Sequence, residues 1–317
     1  MKIAFVGKGG SGKSTIAALF FRYIVEQSKT ALCVDADLNI HIPQLLGVSH
    51  DEEKSISLAD NAKRIKEYLR GDSALIESSE HMYKTTPPST GVKLLTLVAN
   101  DPIIQGYTTP FLTGHIMTVG TYEASEIGKS CYHTNLSILE NILSFTHLYE
   151  DEWLVADMVA GIDAFSNTLH AQFDILCLVI EPTAESLSVY QQYYSLAGAA
   201  GVLDRLRVIG NKITDASDKA YITQHVDSSQ LVGIIQQSDI LKTKRRELQP
   251  LELSYLQTTD TKVLRAVAEE VIKHRIHPNQ RLKTLHILHR KYIDQDYVKN
   301  AVGDLQGQID LTFHYPA

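Results

Sequence analysis

Gly7-Lys8-Gly9-Gly10-Ser11-Gly12-Lys13-Ser14-Thr15 sets glycines, two lysines and hydroxyls at a spacing that could hold a polyphosphate. Gly7, Gly9, Gly10 and Gly12 let the backbone form a concave nest of N–H groups, and the first turn of a following helix adds its positive dipole end. Lys13 then reaches the β and γ phosphates, the Ser14 hydroxyl ligates magnesium, and Ser11 and Thr15 belong to the same cradle. The apolar run Ile3-Ala4-Phe5-Val6 before the loop and Ile16-Ala17-Ala18-Leu19-Phe20-Phe21 after it supply the strand and helix that a Walker A loop requires. A bare glycine-rich turn would be a weak signal. Lys13-Ser14 at this offset behind a strand is a specific one.

Two further stretches carry carboxylates to the ends of apolar runs. Thr30 to Asp35 reads as a buried strand ending in Asp35-Ala36-Asp37-Leu38-Asn39. In an open parallel sheet, the carboxyl end of a strand beside the phosphate loop is where chemistry is placed. Trp153-Leu154-Val155-Ala156-Asp157 is a second such strand, a Walker B whose aspartate holds magnesium through water.

Lys8 narrows the reading. Lys-Gly-Gly-x-Gly-Lys-Ser/Thr resembles the deviant Walker A signature of the MinD/ParA/nitrogenase-iron-protein class of ATPases, and the resemblance covers roughly residues 1 to 255. It implies that Lys8 crosses a dimer interface to the phosphates of the partner's nucleotide, so that ATP is sandwiched in a homodimer. It further implies that Asp37 positions the attacking water and that Asp35 lies near the magnesium shell. The pattern Asp-x-x-Ala-Gly matches Asp157 and Gly161, whose N–H would sense the γ-phosphate. Asn211 and Lys212 match a strand-end Asn-Lys in which the asparagine reads the adenine edge.

Gly128-Lys129-Ser130-Cys131-Tyr132-His133, entering a helix in which Leu136, Leu139 and Leu143 share a face, resembles a narrower group. In CooC-type carbon monoxide dehydrogenase maturation ATPases, which insert nickel, a Cys-x-Cys pair from each subunit meets its twin and holds one metal. Here His133 replaces the second cysteine. Doubled by a two-fold axis, Cys131 and His133 would still form a Cys2His2 set suited to zinc and open to nickel. A decayed motif of ordinary surface residues is the equal alternative.

These residues need a scaffold of alternating strands and helices. The expected fold is α/β, a P-loop NTPase with a mainly parallel twisted sheet and helices on both faces, plus a helical carboxyl-terminal extension. The 317 residues, 44% apolar, suffice for an ATPase domain over 1–258 and an extension over 259–317 docked on it. Helices are expected near 13–28, 57–69 and 184–198, strands near 93–98, 115–119 and 173–182, a last strand with its following loop over 231–239, and a short terminal strand at 310–315. No leader or apolar run of about 20 residues is visible, so a cytoplasmic protein without a membrane partner is expected. Three cysteines do not make a disulfide framework, and Cys33 and Cys177 read as buried hydrophobes.

The net charge of −7 gives no general attraction for nucleic acid, yet residues 262–299 carry +5 and the remainder −12. This stretch also holds His274, His277, His286 and His289, read as a solvated basic helix. The leading expectation is an ATP- and magnesium-dependent switch that serves a client metalloenzyme. A ParA/MinD-type partitioning ATPase acting on DNA or a surface through the basic segment is the alternative, and a metal-free adaptor that docks a partner protein is a third.

Overall fold

The structure, a computed structural model, describes residues 1–48, 57–120, 132–166 and 168–316. In chain order the elements are β1 (Lys2–Gly7), α1 (Lys13–Glu26), β2 (Ala31–Ala36), α2 (Ile42–Leu46), α3 (Ala62–Arg70), α4 (Pro102–Tyr107), β3 (Thr109–Phe111) and β4 (Gly114–Thr118). There follow α5 (Tyr132–Phe145), β5 (Trp153–Met158), α6 (Asp163–Ser166), β6 (Ile175–Ile180), α7 (Ala184–Ala199), β7 (Leu206–Ile213), α8 (Ala216–His225) and β8 (Leu231–Gln236). The chain continues through α9 (Asp239–Arg246), α10 (Thr258–Lys273), α11 (Pro278–Ile293) and α12 (Asp296–Val302).

The chain divides into two compact units. The first comprises residues 1–55, 109–116 and 151–275 and contains the sheet, in the order β3-β4-β2-β5-β1-β6-β7-β8. Pairings of β2 with β5, β5 with β1, β1 with β6, β6 with β7 and β7 with β8 are parallel, and β3 runs antiparallel to β4. Every residue of β1, β2, β5 and β6 is buried, which is why these strands read as continuous apolar runs rather than alternating ones. Helix α1 is buried through six consecutive residues, Ile16 to Phe21, with Phe20 lying between Phe5 and Trp153 at ring separations of 5.3 and 5.9 Å. A helix that apolar belongs inside. Its burial fixes the loop that precedes it.

Helix α10 packs against β8, burying Val263, Leu264, Val267 and Val271. Ile272, next in sequence to Val271, is exposed. Gly233 in β8 permits the contact, since a Cβ there would lie 2.7 Å from a Val263 methyl. The boundary expected at 258/259 therefore differs from the division of the structure, which keeps residues 259–275 with the sheet and groups only those from 276 onward with the second unit.

That second unit joins residues 56–108, 117–150 and 276–317. Helix α3 begins at Ala62 rather than Ser57, because Ser57 to Asn61 make a turn in which the Ser57 hydroxyl bonds Asp60 and the Asn61 amide donates to Ser57 O at 3.0 Å. The expected strand at 93–98 is only a bridge between Leu95 and Thr146, outside the main sheet. No strand forms at 310–315. Asp310 instead accepts from the N–H groups of Thr312 and Phe313 in a local turn, an arrangement that competes with extended pairing. The solvated reading of the histidines fails for His289, which is fully buried with Nδ1 3.0 Å from Thr85 Oγ1, and for His286, 8% exposed.

Candidate functional site

The site lies in the first unit, at the carboxyl ends of β1, β2 and β5. Gly12 passes the chain into α1 at φ +92° and offers no side-chain cap, leaving first-turn N–H groups for an external acceptor. A side chain at Gly12 would also strike the Asn211 amide. Lys13 sits between two carboxylates: its Nζ is 2.5 Å from Asp157 Oδ1 and 3.0 Å from Asp37 Oδ2, with Ser14 Oγ at 3.5 Å. Burial opposes the charge on Lys13, but Asp157 and Asp37 outweigh it and hold the ammonium above its ordinary range.

Asp157 is fully buried, and its carboxyl is pushed up by burial against the pull of Lys13. Its Oδ2 has no hydrogen-bond partner among the described residues, and neither do Ser11 Oγ and Thr15 Oγ1. Buried polar atoms without partners are costly. These three belong to the phosphate loop, the first turn of α1 and the end of β5. Ser14, Asp37 and the free oxygen of Asp157 make the hard oxygen set that a magnesium ion and its waters use, so the residues present fit that ion.

Asp35 stands beside Asp157 in the β2–β5 register. Its oxygens accept the N–H groups of Asp37 at 3.2 Å and of His41 and Ile42 at 2.8 Å each. These bonds fold the segment carrying Asp37 back toward the loop. Burial and the Asp157 charge nonetheless push the Asp35 carboxyl up to about 7.

Two cavities meet at the loop. One, of about 260 Å³, is lined by Lys8, the loop from Gly9 onward, Asp37, His41 and Arg245. The other, of about 570 Å³, is lined by Asn211, Lys212, Gln236, Gln237 and residues of α9. Lys8 is half-buried, and its charge, after Glu185's own backbone N–H, helps hold the Glu185 carboxyl low.

Three residues expected to meet the nucleotide also have contacts within the protein. Asn211 donates its amide to Ser11 O at 2.8 Å, while Lys212, at φ +59°, donates to Gly10 O and pairs with Glu181 at 3.0 Å. Gly161 gives its N–H to Gly7 O at 3.0 Å, and its carbonyl accepts from the Tyr193 hydroxyl at 2.8 Å. Arg245, Glu181 and Tyr193 were not singled out from the sequence, having no motif of their own.

Cys131 lies outside the described residues, and so does the side chain of His133, although its backbone lies in the first turn of α5. Among the described residues no group of three or more His, Cys, Asp or Glu side chains is arranged to hold a metal, and no helix is long and apolar enough to cross a membrane.

The sheet order, the loop and the aspartates define a P-loop nucleotide site, and the chain belongs to the CobQ/CobB/MinD/ParA nucleotide-binding domain family, matching it over residues 3–251. It is an ATPase of the MinD/ParA class. Over 235 residues it is 25% identical to the carbon monoxide dehydrogenase accessory protein CooC of Rhodospirillum rubrum, covering 74% of this chain and 83% of that protein. It is 31% identical over 213 residues to an uncharacterised ATP-binding protein of Methanocaldococcus jannaschii, covering 67% and 75%. Among solved structures, the septum site-determining protein MinD of Pyrococcus horikoshii in complex with Mg-ADP shares the fold with a TM-score of 0.55 at 22% identity, covering 85% of this chain and 95% of that one.

Proposed function

We propose that this chain is a magnesium-dependent ATP switch that closes as a homodimer and serves the insertion of a metal, nickel, into a client metalloenzyme. The observation that carries the switch is the caged Lys13. Its ammonium is neutralised within the chain by Asp37 and Asp157, so a triphosphate entering the cradle must draw it away from both. That exchange frees Asp37 to orient water for in-line attack on the γ-phosphorus and leaves Asp157 and Ser14 to hold magnesium. Magnesium, when bound, would neutralise charge on the phosphate oxygens. Lys8, already facing the phosphate cavity, would reach the nucleotide of the partner subunit. Gly161 would turn its N–H from Gly7 to the γ-phosphate, and the Asn211 amide would serve the base.

The client role rests on the similarity to a protein named as a carbon monoxide dehydrogenase accessory factor, and on the Cys131/His133 pair as a shared zinc or nickel site, the metal being cargo. ATP hydrolysis is assigned to residues 1–258, and the docking of a partner to the extension. The partition-type reading loses ground because part of the basic segment is inside: Arg281 is 7% exposed, and His286 and His289 are buried.

Light scattering with and without ATP, on wild type, Lys8→Ala and Cys131→Ser, with metal assayed in the same fractions, tests the proposal. A nucleotide-dependent dimer carrying one metal, with dimerisation lost in Lys8→Ala and metal lost in Cys131→Ser, is the expected result. A monomer under every condition, or equal metal in wild type and Cys131→Ser, contradicts the corresponding half.

A further inference from the structure

Helix α9 is capped by Ser238, whose hydroxyl accepts the Leu241 N–H at 3.2 Å, and ends on Lys244, Arg245 and Arg246. Cations suit the negative end of a helix dipole, which explains their charge but not where they reach. Lys244 is satisfied locally, 3.8 Å from Glu247 and 2.6 Å from the Gln249 side chain. Lys242, Arg245 and Arg246 are different. Among the described residues none has a carboxylate within 4.0 Å, and all three line the larger cavity beside Asn211. Three exposed cations on one wall give it a positive potential that favours an anion.

Arg245 is further distinguished by position. It lines the phosphate cavity as well as the larger cleft, and among the described residues it is the only charged one shared by both, beside Gly12 and Thr15. We propose that Arg245 is a nucleotide-binding residue acting within its own chain, closing on the phosphate nearest the ribose where the two cavities meet. The loop and Lys13 serve the outer phosphates, and Arg245 stands where the phosphate cavity opens into the larger cleft. A guanidinium presents a planar fork that matches two phosphate oxygens, which an ammonium cannot do. Binding would thereby order the last turn of α9 over the nucleotide and make this helix responsive to nucleotide. The inference rests on the nucleotide reading of the site and adds to it a cation that no motif marks.

Calorimetric titration of wild type, Arg245→Ala, Arg245→Lys and Lys244→Ala with ADP and, separately, with adenosine tests the assignment. Arg245 is exposed, so these variants are expected to keep the wild-type melting temperature. Loss of one charge-assisted contact predicts about ten-fold weaker ADP binding in Arg245→Ala, an intermediate loss in Arg245→Lys, unchanged adenosine binding in both, and wild-type behaviour in Lys244→Ala. The ADP deficit should shrink as salt is raised. ADP binding of wild-type strength in Arg245→Ala would overturn the proposal, as would equal losses for ADP and adenosine, which would make the side chain a mere wall of the cleft. A wild-type protein that binds neither would instead overturn the nucleotide reading itself, and this inference with it.

Discussion

Asp35 in the first unit and Asp310 in the second are both largely enclosed carboxylates, and their surroundings move them in opposite directions. Asp310 accepts the hydroxyls of Thr312 and Thr90 at 2.6 Å each and three backbone N–H groups between 2.8 and 3.2 Å; these bonds, the Thr312 hydroxyl first, hold it well below the usual carboxylate range. Asp35 accepts three N–H groups, yet burial and the neighbouring Asp157 charge carry it up to about 7. The first arrangement is complete in itself. The second holds more negative charge than Lys13 can neutralise, together with a free oxygen on Asp157. A structural site satisfies its carboxylate from within, whereas a site built for a ligand leaves charge and donors waiting.

Removing the one cation at the centre should produce the largest effect. Lys13→Ala is expected to lower kcat for phosphate release by about 10²–10³-fold, the cost of losing one fixed donor to the transition state. Retention of more than a tenth of the rate would break the contrast.

The two aspartates should also give opposite pH signatures in urea unfolding. With Asp35 raised, the folded chain binds more protons than the unfolded one between about pH 4 and 7, so this carboxyl's contribution is full below that window and is lost as pH rises through it, with a slope of at most about 1.4 kcal/mol per pH unit. Asp35→Asn should flatten that fall. With Asp310 lowered, the contribution is present above about pH 4 and lost as pH falls toward the depressed value, so Asp310→Asn should flatten the acid limb instead. Matching profiles for the two variants would erase the distinction. At neutral pH, Asp310→Ala should cost about 1–3 kcal/mol through stranded donors, with ATP hydrolysis unchanged.

The smallest effect is expected at Tyr193. Tyr193→Phe removes the hydroxyl that holds the Gly161 carbonyl, worth about 1 kcal/mol. Freed from it, the Gly7–Gly161 bridge should open more readily, so a non-hydrolysable ATP analogue should bind a few-fold tighter while ADP binding stays constant. Equal changes for both nucleotides would show that Tyr193 does not act through Gly161.

What was legible in the sequence follows from distance along the chain. Gly7 to Thr15 is one contiguous loop, and Asp35, Asp37 and Asp157 each end an apolar run, so a strand pattern alone places them together. Asn211 and Lys212 were found by their strand-end pattern, but their contacts with Ser11 and Gly10 come from about 200 residues away. Arg245 reaches the phosphate cavity only because α9 follows β8 at the far end of the sheet, and a local pattern of cations reads equally as a helix terminus. Glu181 and Tyr193 were invisible for the same reason. In the second unit the apolar face of α5 was readable, with Leu136, Leu139 and Leu143 fully buried. The burial of His289 was not, since its partner Thr85 lies in a loop 204 residues earlier.

The proposed completion of each phosphate site by Lys8 from the other chain is tested most directly by mixing two inactive variants. Lys8→Ala keeps its own Asp37, and Asp37→Asn keeps its own Lys8. In a mixed dimer one of the two sites recovers both groups, so combining the variants should restore ATP hydrolysis to about a quarter of the wild-type rate. Full activity in Lys8→Ala alone would show that hydrolysis does not need Lys8, and no recovery on mixing although mixed dimers form would show that Lys8 serves only its own chain.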